Sequence, residues 1–344
     1  MERKGKERMK ILVTGGAGYL GAVLSFFLLQ EDHKVRVMDN LTHGGGSVLS
    51  MLNDPRFEFV AGDIRDDAAV GRALEGTDAV VHLAAIVGDP ACARDPEVAR
   101  AVNEKASLNL IEAAQSAGVR RFVFSSTCSN YGRMADTSVL ASEDNELRPL
   151  SLYAETKVAV ERQLLSTPVM TATVLRFATL FGLSPRMRFD LTVNQFVMEM
   201  MVMRRLVVFG ERFWRPYVHT RDAARAIMAV LGSPPDRVGG RVFNVGNTDQ
   251  NFRKLDLIDM IQKRVGRADV EFVSVAEDPR DYKVSFERIH NELGYDTTRS
   301  VADGVDEIAM AIESGVLDRF DDPRYSNVKS GELAERPKAA VVWN

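Results

Sequence analysis

The run Ile11-Leu12-Val13-Thr14-Gly15-Gly16-Ala17-Gly18-Tyr19-Leu20-Gly21 constrains this chain more than any other. A β-branched, apolar segment leads straight into Gly15, Gly18 and Gly21, and a mostly apolar run follows from Ala22 to Leu29. Strand, glycine turn and helix start, in that order, make an anion site. Backbone N–H groups and the positive end of the helix dipole converge on whatever docks there. Gly15 would permit the turn, Gly18 would let a pyrophosphate reach the backbone, and Gly21 would let the helix lie close to the sheet. Glycine-rich turns alone are common; a strand before and a helix after give this one its weight.

The chain that follows repeats strand and helix. Lys34 to Asp39 alternates as a strand and ends on an acid. In a dinucleotide-binding fold this spacing places the carboxylate on the adenosine ribose hydroxyls, where it would repel the extra phosphate of NADP. NAD is therefore the expected cofactor, the plainer alternative being a solvated loop aspartate. Further strands are predicted at 57–60, 78–85, 121–126 and 170–176, and helices at 97–117 and 151–165. His82 lies inside its strand rather than at its end and reads as a packed residue. The alternation predicts an α/β fold with a doubly wound parallel sheet, whose ligands bind at the carboxyl ends of the strands. Beyond Phe177 the alternation weakens. Arg186 and Arg188 fall in a loop, residues 241–245 read as a strand that rejoins the sheet, and the tail from Arg324 reads as loosely packed.

Composition narrows the function classes. The 344 residues carry a net charge of −4, which gives no electrostatic footprint for nucleic acid. The only cysteines, Cys92 and Cys128, fit a reducing, cytoplasmic setting. Residues 1–10 are basic without an apolar core, unlike a signal peptide. The Met-rich run 196–209 is interrupted by Glu199, Arg204 and Arg205, so no membrane span is expected, and no metal site is evident.

Tyr153 and Lys157 are four apart on a predicted helix and so share a face. Tyrosine titrates near 10 and must lose roughly three units to act as a base near neutral pH, about 4 kcal/mol of differential stabilisation. A neighbouring ammonium and an oxidised nicotinamide ring favour the phenolate. Thr127, just past its strand, can bond the same substrate hydroxyl. Thr127, Tyr153 and Lys157 thus form a set suited to removing a proton from an alcohol while NAD takes the hydride.

Taken together, Thr14 to Gly21, Asp39-Asn40-Leu41, Gly62-Asp63-Ile64-Arg65, His82 to Ala85, Ser125-Ser126-Thr127 with Tyr131-Gly132, and Tyr153 to Lys157 resemble the extended short-chain dehydrogenase/reductases. Within them the chain resembles the NAD-dependent nucleotide-sugar epimerase/dehydratase branch. Its stretches 181–191 and 278–282 are similar to a subgroup that includes GDP-heptose 4-dehydrogenases. The resemblance implies a Rossmann domain over residues 1–178, with 217–248 rejoining it, and a smaller C-terminal α/β lobe from 179–216 and 249–323 that binds a nucleotide-diphosphate sugar. It implies that Gly15, Gly18, Tyr19 and Leu20 cradle the pyrophosphate, and that Asp39 and Asn40 bind the adenosine ribose. Asp63 and Ile64 would flank adenine, and Leu83, Ala84 and Ala85 would line the cofactor. Tyr153 would be the base, Lys157 would hold the nicotinamide ribose, and Thr127 would orient the substrate. Arg215 and Arg280 would grip the diphosphate, Asn194 would be a substrate-side amide, and a homodimer would form through helices 97–117 and 151–165.

Two departures bear on the reaction. The 4,6-dehydratases carry Asp-Glu directly after the threonine, where this chain has Cys128 and Ser129. Thiol and hydroxyl are poor proton donors for eliminating water. Thr179 stands where the family has an asparagine. The reading is oxidation at C4 with return of the hydride to the opposite face, a 4-epimerase. A dehydrogenase or dehydratase that releases the keto sugar is the alternative, and a carbonyl reductase, a methyltransferase and a non-catalytic NAD sensor are the other classes. Tyr153 and Lys157 would be idle in the last two.

Overall fold

The computed structural model describes residues 8–134, 136, 138–166, 170–274, 281–327 and 342–343. Its first half alternates strand and helix: β1 (Lys10–Thr14), α1 (Tyr19–Gln30), β2 (Lys34–Asp39), β3 (Phe57–Ala61), α2 (Asp67–Leu74), β4 (Ala79–His82), α3 (Asp89–Arg94), α4 (Pro96–Arg100), α5 (Ser107–Ser116), β5 (Arg121–Thr127), α6 (Leu152–Leu165) and β6 (Thr171–Phe177). The second half is less regular: β7 (Thr179–Phe181), α7 (Thr192–Met198), β8 (Arg205–Phe209), β9 (Trp214–His219), α8 (Thr220–Gly232), α9 (Pro235–Val238), β10 (Arg241–Val245), β11 (Asn251–Arg253), α10 (Lys254–Val265), β12 (Asp269–Val273), α11 (Glu287–Leu293), α12 (Val301–Glu313) and β13 (Val342–Trp343).

The main sheet runs β10-β6-β5-β4-β1-β2-β3-β13. The first seven of these pair in parallel, and β13 pairs antiparallel with β3. This is the doubly wound order, with the switch point between β1 and β4. Period-two alternation divides the core. Ile11 and Val13 point to the face covered by Leu24, Leu28 and Ile227 of α1 and α8. Leu12 and Val80 point to the face covered by Leu110 and Val160 of α5 and α6. A separate apolar cluster, including Phe181, Val197, Tyr217, Leu257 and Val305, holds together the two small sheets β11-β9-β7 and β12-β8 with α7, α10 and α12.

The structure revises three local expectations. The strand expected at 78–85 ends at His82, because Leu83 to Ala85 turn away as a loop. The helix expected at 97–117 is broken by a π-helical stretch, Ala101–Ala106, between α4 and α5. The tail is not uniformly loose: the Tyr325 carbonyl accepts from the Phe189 amide at 2.8 Å, the Asn327 amide donates to Asp190 at 2.9 Å, and β13 extends the sheet. The rest of that tail, 328–341 and 344, lies outside the described residues. Among the described residues no helix is long and apolar enough to cross a membrane.

Candidate active site

At the end of β1, Gly15 adopts a φ of +71°, and a Cβ there would meet the Ala84 backbone nitrogen at 2.7 Å. A Cβ on Gly21 would lie 2.3 Å from the Gly15 carbonyl. Gly15 thus allows both the turn and the close approach to the loop after β4, and Gly21 lets α1 sit directly on the turn. Gly18 is the N-cap of α1 and offers no side-chain cap, so the first-turn N–H groups have no side-chain acceptor at that position. Leu20 is buried beneath. The Tyr19 side chain points away from the turn: its hydroxyl donates to the Gly182 carbonyl at 2.5 Å, so its contribution at the cradle is backbone.

Asp39 stands beside this turn. Its carboxylate accepts from the Ala17 amide at 3.0 Å and the Leu41 amide at 2.8 Å, and burial raises its pKa from the usual carboxylate value. Asn40 donates to Asp63 at 3.0 Å, and Arg65 forks onto the same carboxylate at 2.9 Å on both oxygens. Burial pushes the Asp63 pKa up, but these partners outweigh it and hold the group at about 2. Ile64 is buried next to it.

The loop after β4 is fixed by Asn103, and the end of β4 by His82. Asn103 lies in the π-helical stretch, and its amide bonds both backbone groups of Ile86, at 2.8 and 2.9 Å. Such bulges re-aim one residue inside a helix. His82 is buried and bridges Thr14 at 2.7 Å and Ser107 at 2.9 Å. The Ser107 hydroxyl donates to the Asn103 carbonyl, so His82 Nε2 donates to Ser107 and Nδ1 accepts from Thr14. Burial, with the nearby Lys157 charge, lowers its pKa to about 3 and keeps it neutral. His82 is the packed residue its position in the strand suggested.

At the end of β5 three residues of α6 face the strand in turn. Tyr153, Lys157 and Glu161 are spaced by four on one helix face. Lys157 Nζ donates to the Ser125 carbonyl at 2.8 Å and sits 5.7 Å from the Tyr153 ring centroid. Burial lowers its pKa to about 8, so it remains cationic at neutral pH. Burial, with Cys92 adding to it, raises the Tyr153 phenol above its ordinary range. Glu161 bonds the Ser126 hydroxyl, accepts from Asn130 at 2.8 Å, and pairs with buried Arg176 at 2.7 Å. That ion pair fixes the strand end. Thr127 caps the next turn, accepting from the Ser129 amide at 3.1 Å.

The remaining expected residues divide. Cys128 is wholly buried, donates to the Arg176 carbonyl at 3.2 Å, and has its pKa pushed well up by burial, so it is an inert core thiol. Ser129 faces the hydroxyl of buried Tyr282 at 3.3 Å, and the Arg215 guanidinium lies 5.5 Å from the Tyr282 ring. Arg215 is thereby brought to the strand end. The Asn194 amide accepts from the Gly182 amide at 2.9 Å and donates to the Tyr19 hydroxyl and the Arg188 carbonyl at 3.1 and 2.9 Å. These bonds hold the loop after β7. Arg280 lies outside the described residues. The sequence assigns no role to Tyr282 or Asn103, because only the tertiary fold brings them here.

The glycine turn after β1, Asp39 at the end of β2, Thr127 at the end of β5 and the Tyr153–Lys157 face of α6 thus lie at the carboxyl edge of one parallel sheet, the place where a doubly wound fold takes a dinucleotide. The chain belongs to the NAD dependent epimerase/dehydratase family, whose profile matches residues 11–246. It is 31% identical over 319 residues to the uncharacterized UDP-glucose epimerase YtcB of Bacillus subtilis (strain 168), covering 88% of this chain and 97% of that one. It is 31% identical over 309 residues to a dTDP-glucose 4,6-dehydratase of Streptomyces griseus, covering 86% and 91%. Among solved structures, the dTDP-glucose 4,6-dehydratase DesIV of Streptomyces venezuelae with NAD and TYD bound superposes with a TM-score of 0.80 at 28% identity, covering 92% of this chain and all of that one. The UDP-glucose 4-epimerase of Thermus thermophilus complexed with NAD gives 0.77 at 26%, covering 87% and 99%. This protein is therefore an enzyme of the epimerase/dehydratase type, and its cofactor is NAD.

Proposed function

We propose that the protein is a nucleotide-sugar 4-epimerase that oxidises C4 of a nucleotide-diphosphate sugar transiently. When bound, NAD supplies the acceptor for the C4 hydride and the donor that returns it. Tyr153 removes the O4 proton and gives it back. Burial, with Cys92 adding to it, opposes its ionisation, and the Lys157 ammonium supplies part of the opposing stabilisation. Thr127 Oγ1 already accepts from the Ser129 amide, which leaves its hydrogen for the sugar hydroxyl. Arg215 and Arg280 would take the diphosphate, since a planar guanidinium fork suits phosphate oxygens.

The observation that carries this reading is the turn after Thr127. It presents buried Cys128 and the Ser129–Tyr282 hydroxyl pair, and neither offers the carboxylic acid that eliminating water from the sugar requires. Epimerisation needs proton transfer only at O4. A second reading is a dehydratase whose carboxylic acid is Asp89 at the start of α3.

UDP-, GDP-, CDP- and dTDP-sugars incubated with the purified enzyme separate the two. Absorbance at 340 nm and product stereochemistry by NMR are followed together. C4-inverted sugar without accumulating NADH supports the epimerase, and Asp89→Asn should then leave the rate within a few fold. A dehydrated 4-keto product that disappears in Asp89→Asn establishes the second reading. Stoichiometric NADH release sinks both. Light scattering tests the homodimer expected through the α4–α5 and α6 helices.

A further inference from the structure

The loop between β7 and α7 lies over the first turn of α1 and carries a buried cation without an ion-pair partner among the described residues. The loop is pinned at several points. The Tyr19 hydroxyl donates to the Gly182 carbonyl, the Ser184 hydroxyl donates to the Tyr19 carbonyl at 2.6 Å, and the Arg186 amide donates to Ser184 Oγ at 3.3 Å. From the other side, the Leu183 amide donates to Glu307 at 2.6 Å. Glu307 also accepts from His219 at 2.7 Å, whose Nδ1 is occupied by the Arg221 amide.

Arg186 is 5% exposed, yet its Nε and Nη2 are buried with no hydrogen-bond partner among the described residues. A buried guanidinium is ordinarily paired, because five donors taken from water have to be satisfied. Its neighbour Arg188 obeys the rule, forking onto Asp190 at 2.9 Å through both nitrogens. Arg186 is within electrostatic reach of Arg188 and Asp190 in its own loop, and of Asp39 and Tyr19 beside the glycine turn. The Asp39 oxygens, however, are engaged by Ala17 and Leu41. Opposite, in the loop after β2, His43 Nδ1 is also buried without a partner among the described residues, and burial holds that ring neutral. The open N-terminus of α1 lies under this loop.

We infer that Arg186 is a ligand of the NAD diphosphate, reaching from the second lobe to the anion held over the glycine turn. The cofactor is then clasped between the two lobes rather than resting on one. Release of NAD requires the 182–190 loop to lift, with its Tyr19, Ser184, Asn194 and Glu307 bonds. A clasped cofactor suits an enzyme that returns its hydride within one turnover. The assignment depends on NAD being the cofactor and not on which sugar reaction follows.

The test is exchange of bound NAD against isotopically labelled NAD in the full-length enzyme, read by mass spectrometry, for wild type, R186M and R186K. Binding of adenosine and of ADP-ribose is measured alongside. R186M should exchange NAD at least tenfold faster and bind ADP-ribose at least tenfold more weakly. Adenosine, which has no phosphate, should change by less than twofold, and R186K should fall between. The melting temperature of the NAD-free R186M chain should not fall, because a buried unpaired charge is removed. Equal weakening of adenosine and ADP-ribose would mean a structural role and overturn the assignment. An unchanged exchange rate overturns it too, as does a loss confined to nucleoside diphosphate affinity, which would place Arg186 on the substrate. R186Q, neutral but still a hydrogen-bond donor, replaces R186M if that variant aggregates.

Discussion

Replacing Lys157 with methionine should cost activity and raise stability, and pH separates the two effects. The ammonium is buried among Phe124, Tyr153 and β5, and burial lowers its pKa from 10.5 to about 8. One unit corresponds to about 1.4 kcal/mol, so the folded state disfavours the charged form by about 3 kcal/mol at neutral pH. The sign follows from proton counts. Between the folded and unfolded values the unfolded chain binds more protons, so the destabilisation is fully present below pH 8 and fades as pH rises towards 10.5. Met fills a similar volume without the charge, at the cost of leaving the Ser125 carbonyl unpaired, about 1–3 kcal/mol and independent of pH. The decisive quantity is therefore the difference between the two pH values. Urea unfolding of NAD-free wild type and Lys157→Met should show wild type gaining about 1 kcal/mol on the variant between pH 7 and pH 9. The variant should lose at least a hundredfold in kcat, because the phenolate of Tyr153 loses its cation. A stability difference flat across that range would refute the depressed lysine, and unimpaired turnover would refute its role beside Tyr153.

Three further outcomes concern the proton-transfer pair, the buried ion pair and the cradle, and a fourth the core thiol. Tyr153→Phe should abolish turnover by about a thousandfold or more while the purified protein still carries NAD, as read by acid release of the nucleotide. Arg176→Met should lower stability by about 3–5 kcal/mol in urea unfolding, since it leaves Glu161 charged and buried, whereas removing both partners with apolar residues should recover most of that loss. Gly21→Ala places a methyl group 2.3 Å from the Gly15 carbonyl, so α1 must shift and NAD retention should fall together with Tm. Cys128, buried and held as a thiol, should resist alkylation in the native enzyme and react on unfolding, measured by intact mass.

Much of this protein was legible because its determinants are local. Apolar strands bounded by glycine, the acid ending β2 and the Tyr–Lys spacing on α6 depend on residues a few positions apart. The period of a helix or strand converts such spacing directly into a shared face. The strand and helix order then left one sheet topology, and the topology placed Gly15, Asp39 and Thr127 at one edge. The strand at 241–245 beside β6 was readable in the same way, from Val242, Phe243 and Val245 within five residues.

The remainder was decided across long sequence separations, where no local pattern exists. Asn194, by its resemblance a substrate-side amide, is spent on Tyr19, Gly182 and Arg188 once β7 and α7 meet α1. Tyr282 reaches Ser129 from 153 residues away. Asn103 finds Ile86 only through a π-helical turn. The sequence by itself determined the glycine turn, the acid at the end of β2 and the shared face of Tyr153 and Lys157, because backbone geometry and helical period are short-range. Tertiary structure alone decided which arginine is paired and which is left buried beside the cradle. Desolvation and pairing depend on everything packed around a charge, which spacing along the chain does not encode.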